Sequence, residues 1–171
     1  KNTIFRRMTA LVLTLALAAA AALPGLAVYP MPIQTAKETE AVYLFNADTG
    51  KTILNQNADQ QQYVASLTKL MTALLLLESG KDLNGEVIVP TALTQEFRDI
   101  QNANGTTMGL RIGETVRRID LLNAMLIVSA NDAASVIAYD VGGSVLDFVK
   151  QMNARAQELG CTGTNFTCAH G

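Results

Sequence analysis

The stretch Ser66-Leu67-Thr68-Lys69-Leu70-Met71-Thr72-Ala73-Leu74-Leu75-Leu76-Leu77-Glu78-Ser79 decides how the rest of the chain is arranged. It predicts a helix with apolar residues around nearly its whole circumference, and Gly80 suits the position just past its end. A helix that is apolar on all sides is normally buried. We therefore expect a central helix that needs a sheet to cover it, with Ser66 and Lys69 on one face of its first turn.

Ser66, Lys69 and the later motif Ser129-Ala130-Asn131 together indicate an acyl-transfer site. A serine hydroxyl is a poor nucleophile unless a base lies beside it, and a lysine three residues further on lies within reach. A lysine acts as a base only when burial or a nearby positive charge lowers its pKa, and apolar neighbours favour this. We expect Ser66 to be the nucleophile, Lys69 the general base and Ser129 a proton relay. Asn131 would bind the substrate amide and hold the lysine.

Each motif is weak alone and has a structural alternative. Ser66 can simply cap the helix. Lys69 can be a solvated residue of the first turn, although a cation there opposes the helix dipole. Asn131 can cap the helix that follows it. The order of the motifs, and their positions at a helix start and a helix junction, favour a site. His170 is predicted to be a surface loop residue without a catalytic role.

The first 27 residues are typical of a secretory signal peptide. Basic residues precede the apolar run from Ala10 to Ala22, and small residues follow, with Ala22 and Ala27 as candidate cleavage sites. A membrane anchor is the alternative, but the run is short for a bilayer span. Three of the 13 basic residues and none of the 15 acidic ones lie in this segment, so the remainder carries a net charge of −5. That charge disfavours nucleic acid as a partner, and the signal peptide predicts an exported protein.

The remaining pattern predicts an α/β (α+β) domain at residues 41–171, after a linker at 28–40. A strand hairpin with a turn at 46–50 comes first, and a largely helical lobe at about 86–159 follows the central helix. Within the lobe we expect a strand at 86–89 and four helices, at 91–97, 116–128, 132–139 and from 145 to about 159. Thr115 and Ser144 are the expected caps of the second and fourth of these helices.

Cys161 and Cys168 are the only cysteines, and they leave two alternatives open. In an exported protein they can form a disulfide, or both can stay free. With His170 they supply at most three clustered ligands and lack the paired spacing of zinc modules. We therefore predict no metal, and nothing in the sequence calls for a cofactor.

Tyr63-Val64-Ala65-Ser66-Leu67-Thr68-Lys69-Leu70-Met71-Thr72-Ala73 resembles the active-site segment of the D-alanyl-D-alanine carboxypeptidases, the low-molecular-weight penicillin-binding proteins. The resemblance covers about residues 41–171. Its other matching segments, in chain order, are Asp48-Thr49-Gly50, Asn57-Ala58-Asp59, Met108-Gly109-Leu110, Leu126-Ile127-Val128-Ser129-Ala130-Asn131-Asp132-Ala133-Ala134, Phe148-Val149-Lys150-Gln151-Met152-Asn153 and Glu158-Leu159-Gly160.

The resemblance implies a penicillin-binding-protein and serine β-lactamase-like fold, an antiparallel sheet flanked by helices with a helical lobe. It implies that Ser66 is acylated, that Lys69 is the general base, and that Ser129 and Asn131 form the second active-site element. The implied reaction removes the terminal D-alanine of peptidoglycan stem pentapeptides, and β-lactams would acylate the same serine. A C-terminal anchor would bring the full-length protein to the membrane surface.

The chain departs from the family pattern in two places. It contains no Lys-Thr-Gly segment, which in the family binds the terminal carboxylate of the substrate. We therefore expect residues 41–171 to be the N-terminal part of a catalytic domain, inactive and poorly folded alone. Cys168 stands where the family often has Asn or Pro. The alternatives are a serine β-lactamase, although Ala130 replaces the usual Asp of Ser-Asp-Asn, and a non-catalytic penicillin sensor or helical scaffold.

Overall fold

A computed structural model describes residues 40–171, which divide into two compact units, one ending at Gln56 and the other running from Asn57 to Gly171. The predicted signal peptide and all but the last residue of the predicted linker lie outside the described residues. None of the helices among residues 40–171 is long and apolar enough to span a bilayer.

In the first unit, strands β1 (Val42–Asn46) and β2 (Lys51–Gln56) pair antiparallel. The turn between them is held by the Thr49 N–H, which donates to Asn46 Oδ1 at 2.9 Å. Gly50 has a φ of 68°, a left-handed conformation that glycine adopts without steric cost. The predicted hairpin is confirmed.

The second unit is mostly helical and carries one small sheet. Its elements in chain order are a 3-10 turn at Ala65–Leu67, α1 (Thr68–Glu78), β3 (Glu86–Ile88), a 3-10 turn at Thr91–Leu93, α2 (Thr94–Asn102), β4 (Thr115–Arg117), α3 (Arg118–Ile127), α4 (Asn131–Gly142) and α5 (Val145–Glu158).

Helix α4 lies at the centre of this unit. All residues from 132 to 138 are buried, and α1, α3 and α5 pack against the helix. Gly143, with a φ of 77°, ends α4, and the Ser144 side chain accepts a hydrogen bond from the Asp147 N–H at 3.0 Å to cap α5. The helix predicted at 132–139 extends to Gly142, and the predicted cap of α5 by Ser144 is confirmed.

The prediction that Thr115 caps a helix starting at Val116 is wrong. Thr115–Arg117 is a strand in antiparallel register with β3, Val116 opposite Val87, and the helix begins at Arg118. Three residues are too few to show the alternation of a strand, and Val116 also fits the helical spacing of the residues after it.

The prediction that the central helix is apolar and buried on all sides is also wrong among the described residues. Lys69 and Thr72 are at most 2% exposed, whereas Leu67 and Leu70 on the opposite side are more than 60% exposed. The buried residues of α1 are the polar Thr68, Lys69 and Thr72 together with Ala73 and Leu76. The segment at 169–170 offers backbone carbonyls to Lys69 and Thr72. Thr72 Oγ1 donates to the Ala169 carbonyl at 2.6 Å.

Candidate active site

Ser66 lies on the 3-10 turn just before α1, at the edge of the second unit. Its Oγ accepts one hydrogen bond from Lys69 Nζ at 3.1 Å and another from Ser129 Oγ at 2.8 Å. The side chain does not cap the helix, because the residue at the cap position of α1 is Leu67. The structural alternative for Ser66 is therefore excluded, and Ser66, Lys69 and Ser129 form what we call the serine cluster.

Lys69 is buried, with 2% of its surface exposed. Its Nζ donates to Ser66 Oγ and, at 2.8 Å, to the backbone carbonyl of His170. Removal of the ammonium from water lowers the pKa of Lys69, and the negative charge of Cys168 partly opposes that shift. A lysine with a lowered pKa more readily reaches the neutral form that accepts a proton. The alternative of a solvated lysine is excluded.

Ser129 is the middle one of the three residues between α3 and α4, and its backbone is in the left-handed region with a φ of 61°. Ala65, directly before Ser66, has a φ of 46°. Such conformations cost residues other than glycine about 1 kcal/mol or more and concentrate at functional sites. Both hydroxyls of the serine cluster are thus positioned by strained backbone.

Asn131 starts α4, and its backbone N–H donates to the Thr106 carbonyl at 2.8 Å. Its amide nitrogen lies so close to Gly105 that a Cβ there would come within 2.7 Å of it. Among the described residues, Lys69 is held by Ser66 and by His170, not by Asn131. The expectation that Asn131 holds the lysine is therefore wrong. Its substrate-binding role stays a prediction.

Asp132 fixes the loop beside Asn131. Its carboxylate, 3% exposed, accepts the backbone N–H groups of Met108, Gly109 and Leu110, each at 3.0 Å. In the sequence, Asp132 stood out only as part of a segment that resembles the family. An Asp after Ser-x-Asn carries no local signal of a contact more than 20 residues away.

An open cleft of about 410 Å³ lies over the serine cluster. Its walls are mostly apolar, so an entering acyl group would meet the two hydroxyls and the amine at one polar patch on an apolar surface. The lining residues are Val64, Ser66, Leu67, Lys69, Leu70, Met125, Leu126 and Ser129.

The segment 166–171 packs along α1 behind the serine cluster. The Gly171 backbone lies against the Ala65 carbonyl, and a Cβ on Gly171 would overlap that carbonyl. Together with the bonds to the carbonyls of Ala169 and His170, this contact joins the segment to the turn that carries Ser66.

His170 lies in a loop, as predicted, but its side chain is only 21% exposed rather than lying free at the surface. Its Nε2 lies 3.4 Å from Glu96 Oε1. The interaction with the Cys168 thiol, and to a smaller extent that with Glu96, raises the pKa of His170 to about 9. A single histidine after many loop residues carries no sequence signal of partners at positions 96 and 168.

Cys168, His170 and Glu96 form what we call the thiol cluster. The neighbouring His170 is the main cause that lowers the pKa of the Cys168 thiol to about 7, and it also lowers the pKa of Glu96. Cys161 and Cys168 are both free thiols, so the structure contains no bridge between them. No group of His, Cys, Asp or Glu side chains within residues 40–171 is placed to hold a metal ion.

A serine hydroxyl held between a buried lysine amine and a second hydroxyl is the arrangement of a serine acyl-transfer site based on lysine. A family profile described as D-alanyl-D-alanine carboxypeptidase, peptidase family S11, matches residues 30–171. The chain therefore belongs to the D-alanyl-D-alanine carboxypeptidase family.

Individual relatives agree with this assignment. The chain is 33% identical to the D-alanyl-D-alanine carboxypeptidase DacF of Bacillus subtilis, over 78% of this chain and 33% of the relative. It is 32% identical to a D-alanyl-D-alanine endopeptidase of Pseudomonas aeruginosa, over 80% of this chain and 42% of the relative. The chain thus spans about a third to two fifths of the length of these relatives.

Solved structures show the same fold. The Streptomyces K15 DD-transpeptidase superposes with a TM-score of 0.69 at 30% identity, over 77% of this chain and 52% of that one. Penicillin binding protein 5 of Haemophilus influenzae superposes with a TM-score of 0.61 at 33% identity, over 71% and 36%. The fold is that of the penicillin-binding proteins, as the resemblance predicted.

Proposed function

We propose that the protein carrying this chain is a serine-type D-alanyl-D-alanine carboxypeptidase of the cell envelope. It would remove the terminal D-alanine from peptidoglycan stem pentapeptides through an acyl-enzyme on Ser66. The observation that carries the proposal is the geometry of the serine cluster, in which Ser66 Oγ is within 3.1 Å of both Lys69 Nζ and Ser129 Oγ.

In the first step, neutral Lys69 takes the proton of the Ser66 hydroxyl, and Oγ attacks the carbonyl carbon of the penultimate D-alanine. The Ser66 backbone N–H, near the start of α1, is one donor for the oxyanion of the tetrahedral intermediate. Ser129 passes a proton from Lys69 to the leaving amine, and D-alanine departs. Water then hydrolyses the acyl group from Ser66, with Lys69 again serving as the base.

β-Lactams are the second ligand class of the proposal. Their strained amide would acylate Ser66 by the same attack, and the acyl group would leave slowly. Export by a signal peptide at residues 1–27 and attachment to the membrane surface by a C-terminal anchor stay predictions that accompany this function.

The test uses the full-length protein and a fluorescent penicillin. The wild type should become covalently labelled at Ser66, and Ser66→Ala should not. Ser79→Ala, in which a different serine is replaced, is the control variant. Release of D-alanine from a pentapeptide, with bound penicillin released over many minutes, supports the carboxypeptidase. Rapid turnover of penicillin would assign a β-lactamase instead, and no label on the folded wild type would assign a non-catalytic module.

The relatives include endopeptidases as well as carboxypeptidases. A cross-linked muropeptide dimer, offered beside the pentapeptide, separates the two activities. We expect the pentapeptide to be processed faster, and preferential cleavage of the dimer would contradict the proposed substrate.

A further inference from the structure

Two neighbouring residues at the start of α4 hold the same surface loop at two places. Asn131 donates its backbone N–H to the Thr106 carbonyl at 2.8 Å. The buried carboxylate of Asp132 accepts the N–H groups of the three residues at 108–110, each at 3.0 Å. We call residues 105–110 the amide loop, because they lie against the residue whose side-chain amide is predicted to bind substrate.

Backbone hydrogen bonds, more than apolar packing, keep the amide loop in place. A cleft of about 430 Å³ opens between the loop and α2, and within residues 102–109 only Gly105 is partly buried. Both oxygens of Asp132 accept two N–H groups, since Oδ1 also accepts that of Ala133 at 2.9 Å. A carboxylate supplies two such acceptors, whereas an amide supplies one acceptor and one donor. The loop therefore depends on the charge state and shape of this one side chain.

Gly105 is the point at which the amide loop meets the side chain of Asn131. A Cβ on Gly105 would lie 2.7 Å from Asn131 Nδ2, closer than real Cβ atoms approach, and 3.0 Å from Ile100 Cγ2. The backbone of Gly105 lies outside the left-handed region, so close contact rather than conformation favours glycine there. The amide is the end of a side chain, so a Cβ at this position would displace the amide before the backbone around it.

We propose that Gly105 and Asp132 are positioning residues that fix the amide of Asn131, so that the amide loop sets how tightly the site binds an acyl substrate. This role rests on the proposed function, since it needs Asn131 to bind the substrate amide. Asp132 holds the loop, and the loop leaves the amide one place beside Gly105.

The amide loop does not act on the nucleophile or its base. Within residues 40–171, the side-chain hydrogen bonds of the serine cluster join its members to one another and to the His170 carbonyl. A displaced amide should therefore weaken the binding of substrate and transition state equally, which raises KM and leaves kcat unchanged. If Asp132 only stabilised the start of α4, its loss would lower stability but would not change the KM of the folded enzyme.

The first experiment measures KM and kcat of the full-length protein with a pentapeptide. Gly105→Ala should raise KM roughly three- to tenfold, the effect of losing one hydrogen bond, while kcat stays within about twofold. Gly163→Ala is the matched control, because a Cβ there meets nothing closer than 3.9 Å. An unchanged KM, or a fall in kcat at constant KM, would overturn the proposal.

The second experiment asks whether both residues act through Asn131. In Asn131→Ala, which has no amide to position, adding Gly105→Ala should leave KM unchanged, so that the two effects do not add. Asp132→Asn places a donor where one oxygen accepted two N–H groups, and it should raise KM only when Asn131 is present. The exposed Asp120→Asn is its control.

The Gly105→Ala proteins decide the outcome alone if Asp132→Asn fails to fold. Equal rises in KM with and without the Asn131 amide would overturn the proposal, because the substituted residue would then act by another route.

A third measurement does not depend on the proposed function. The side-chain amide of Asn131 gives N–H signals in an NMR spectrum, identified by their absence from Asn131→Ala. These signals should shift in Gly105→Ala and stay in place in Gly163→Ala. Unmoved signals in Gly105→Ala would overturn the positioning role, whereas shifted signals in a protein whose wild type does not process the pentapeptide would count against the proposed function.

Discussion

The serine cluster and the thiol cluster each place a nucleophile beside a nitrogen base, but they use opposite electrostatics. Burial lowers the pKa of Lys69, which favours the neutral amine and therefore an uncharged pair with Ser66. In the thiol cluster, the contacts with Cys168 and Glu96 raise the pKa of His170, which favours a charged pair of thiolate and imidazolium.

The difference follows from what each nucleophile needs. A serine hydroxyl does not ionise near neutral pH, so its base must be neutral and ready to accept a proton. A thiol ionises when a positive charge lies near it, so its partner is best protonated. The hydrogen bond from Lys69 Nζ to the His170 carbonyl joins the two clusters. Substitutions in either cluster therefore show how strongly one cluster depends on the other.

The largest effect is expected from Lys69→Arg, which removes the base of the serine cluster. Arginine stays charged in proteins and cannot accept the proton of Ser66. Penicillin acylation should fall by about 10²- to 10⁴-fold, the usual contribution of a general base. Stopped-flow labelling measures it, with the exposed Lys150→Arg as control, and a loss below tenfold would contradict the assigned role.

Gly171→Ala should disturb both clusters together. A Cβ there overlaps the Ala65 carbonyl, and at a φ of 80° it is strained in any case. We expect a loss of roughly 1–3 kcal/mol in the free energy of unfolding, the usual cost of overpacking. Slower acylation of Ser66 and a higher pH midpoint for ionisation of Cys168 should accompany it. If only the acylation rate of Ser66 or only the pH midpoint of Cys168 changed, the segment 168–171 would not connect the clusters.

Cys168→Ser should change how stability depends on pH. The folded-state pKa of His170 is raised from 6.5 to about 9, so its contribution is full below pH 6.5 and is lost as pH rises towards 9. The pKa of Cys168 is lowered from 9 to about 7, so its contribution is full above pH 9 and is lost as pH falls towards 7. Between these values the two slopes oppose each other.

Without the thiol, the pKa of His170 is raised only by Glu96, the smaller cause, so the variant should still lose stability as pH rises above 6.5, but over a narrower range than the rise to pH 9. Thermal melts of wild type and variant at pH 6.5, 7.5 and 8.5 measure the difference, with Cys161→Ser as the matched control. Parallel curves for Cys168→Ser and the wild type would show that the thiolate and the imidazolium are not paired.

The smallest effect is expected from Ser144→Ala, which lies outside both clusters. Its side chain caps α5 by accepting the Asp147 N–H, and losing such a cap costs about 1 kcal/mol. Denaturant melts should show this loss, while the labelling rates of Ser66 and Cys168 stay unchanged. A change in either labelling rate would mean that global stability, rather than local geometry, controls the reactivity of the two clusters.

Local sequence signals predicted the parts of the fold that depend on neighbouring residues. The hairpin with Gly50, the stop at Gly143 and the cap at Ser144 are decided by backbone conformation and by partners within four residues. The short pairing of β3 with β4 was missed, because it joins residues about 30 positions apart that carry no alternation of their own.

Ser66, Lys69 and Ser129, which lie together in the structure, were predicted from the sequence with Asn131, because three-residue spacing on a helix and a family resemblance are both visible there. Only the tertiary structure decided which side of α1 is buried, since that depends on the carbonyls of residues 169 and 170. It also brought His170 from a predicted surface loop to Glu96 and Lys69. Sequence specifies what lies within a few turns of a residue, whereas burial, pKa and distant partners arise only when separated segments pack together.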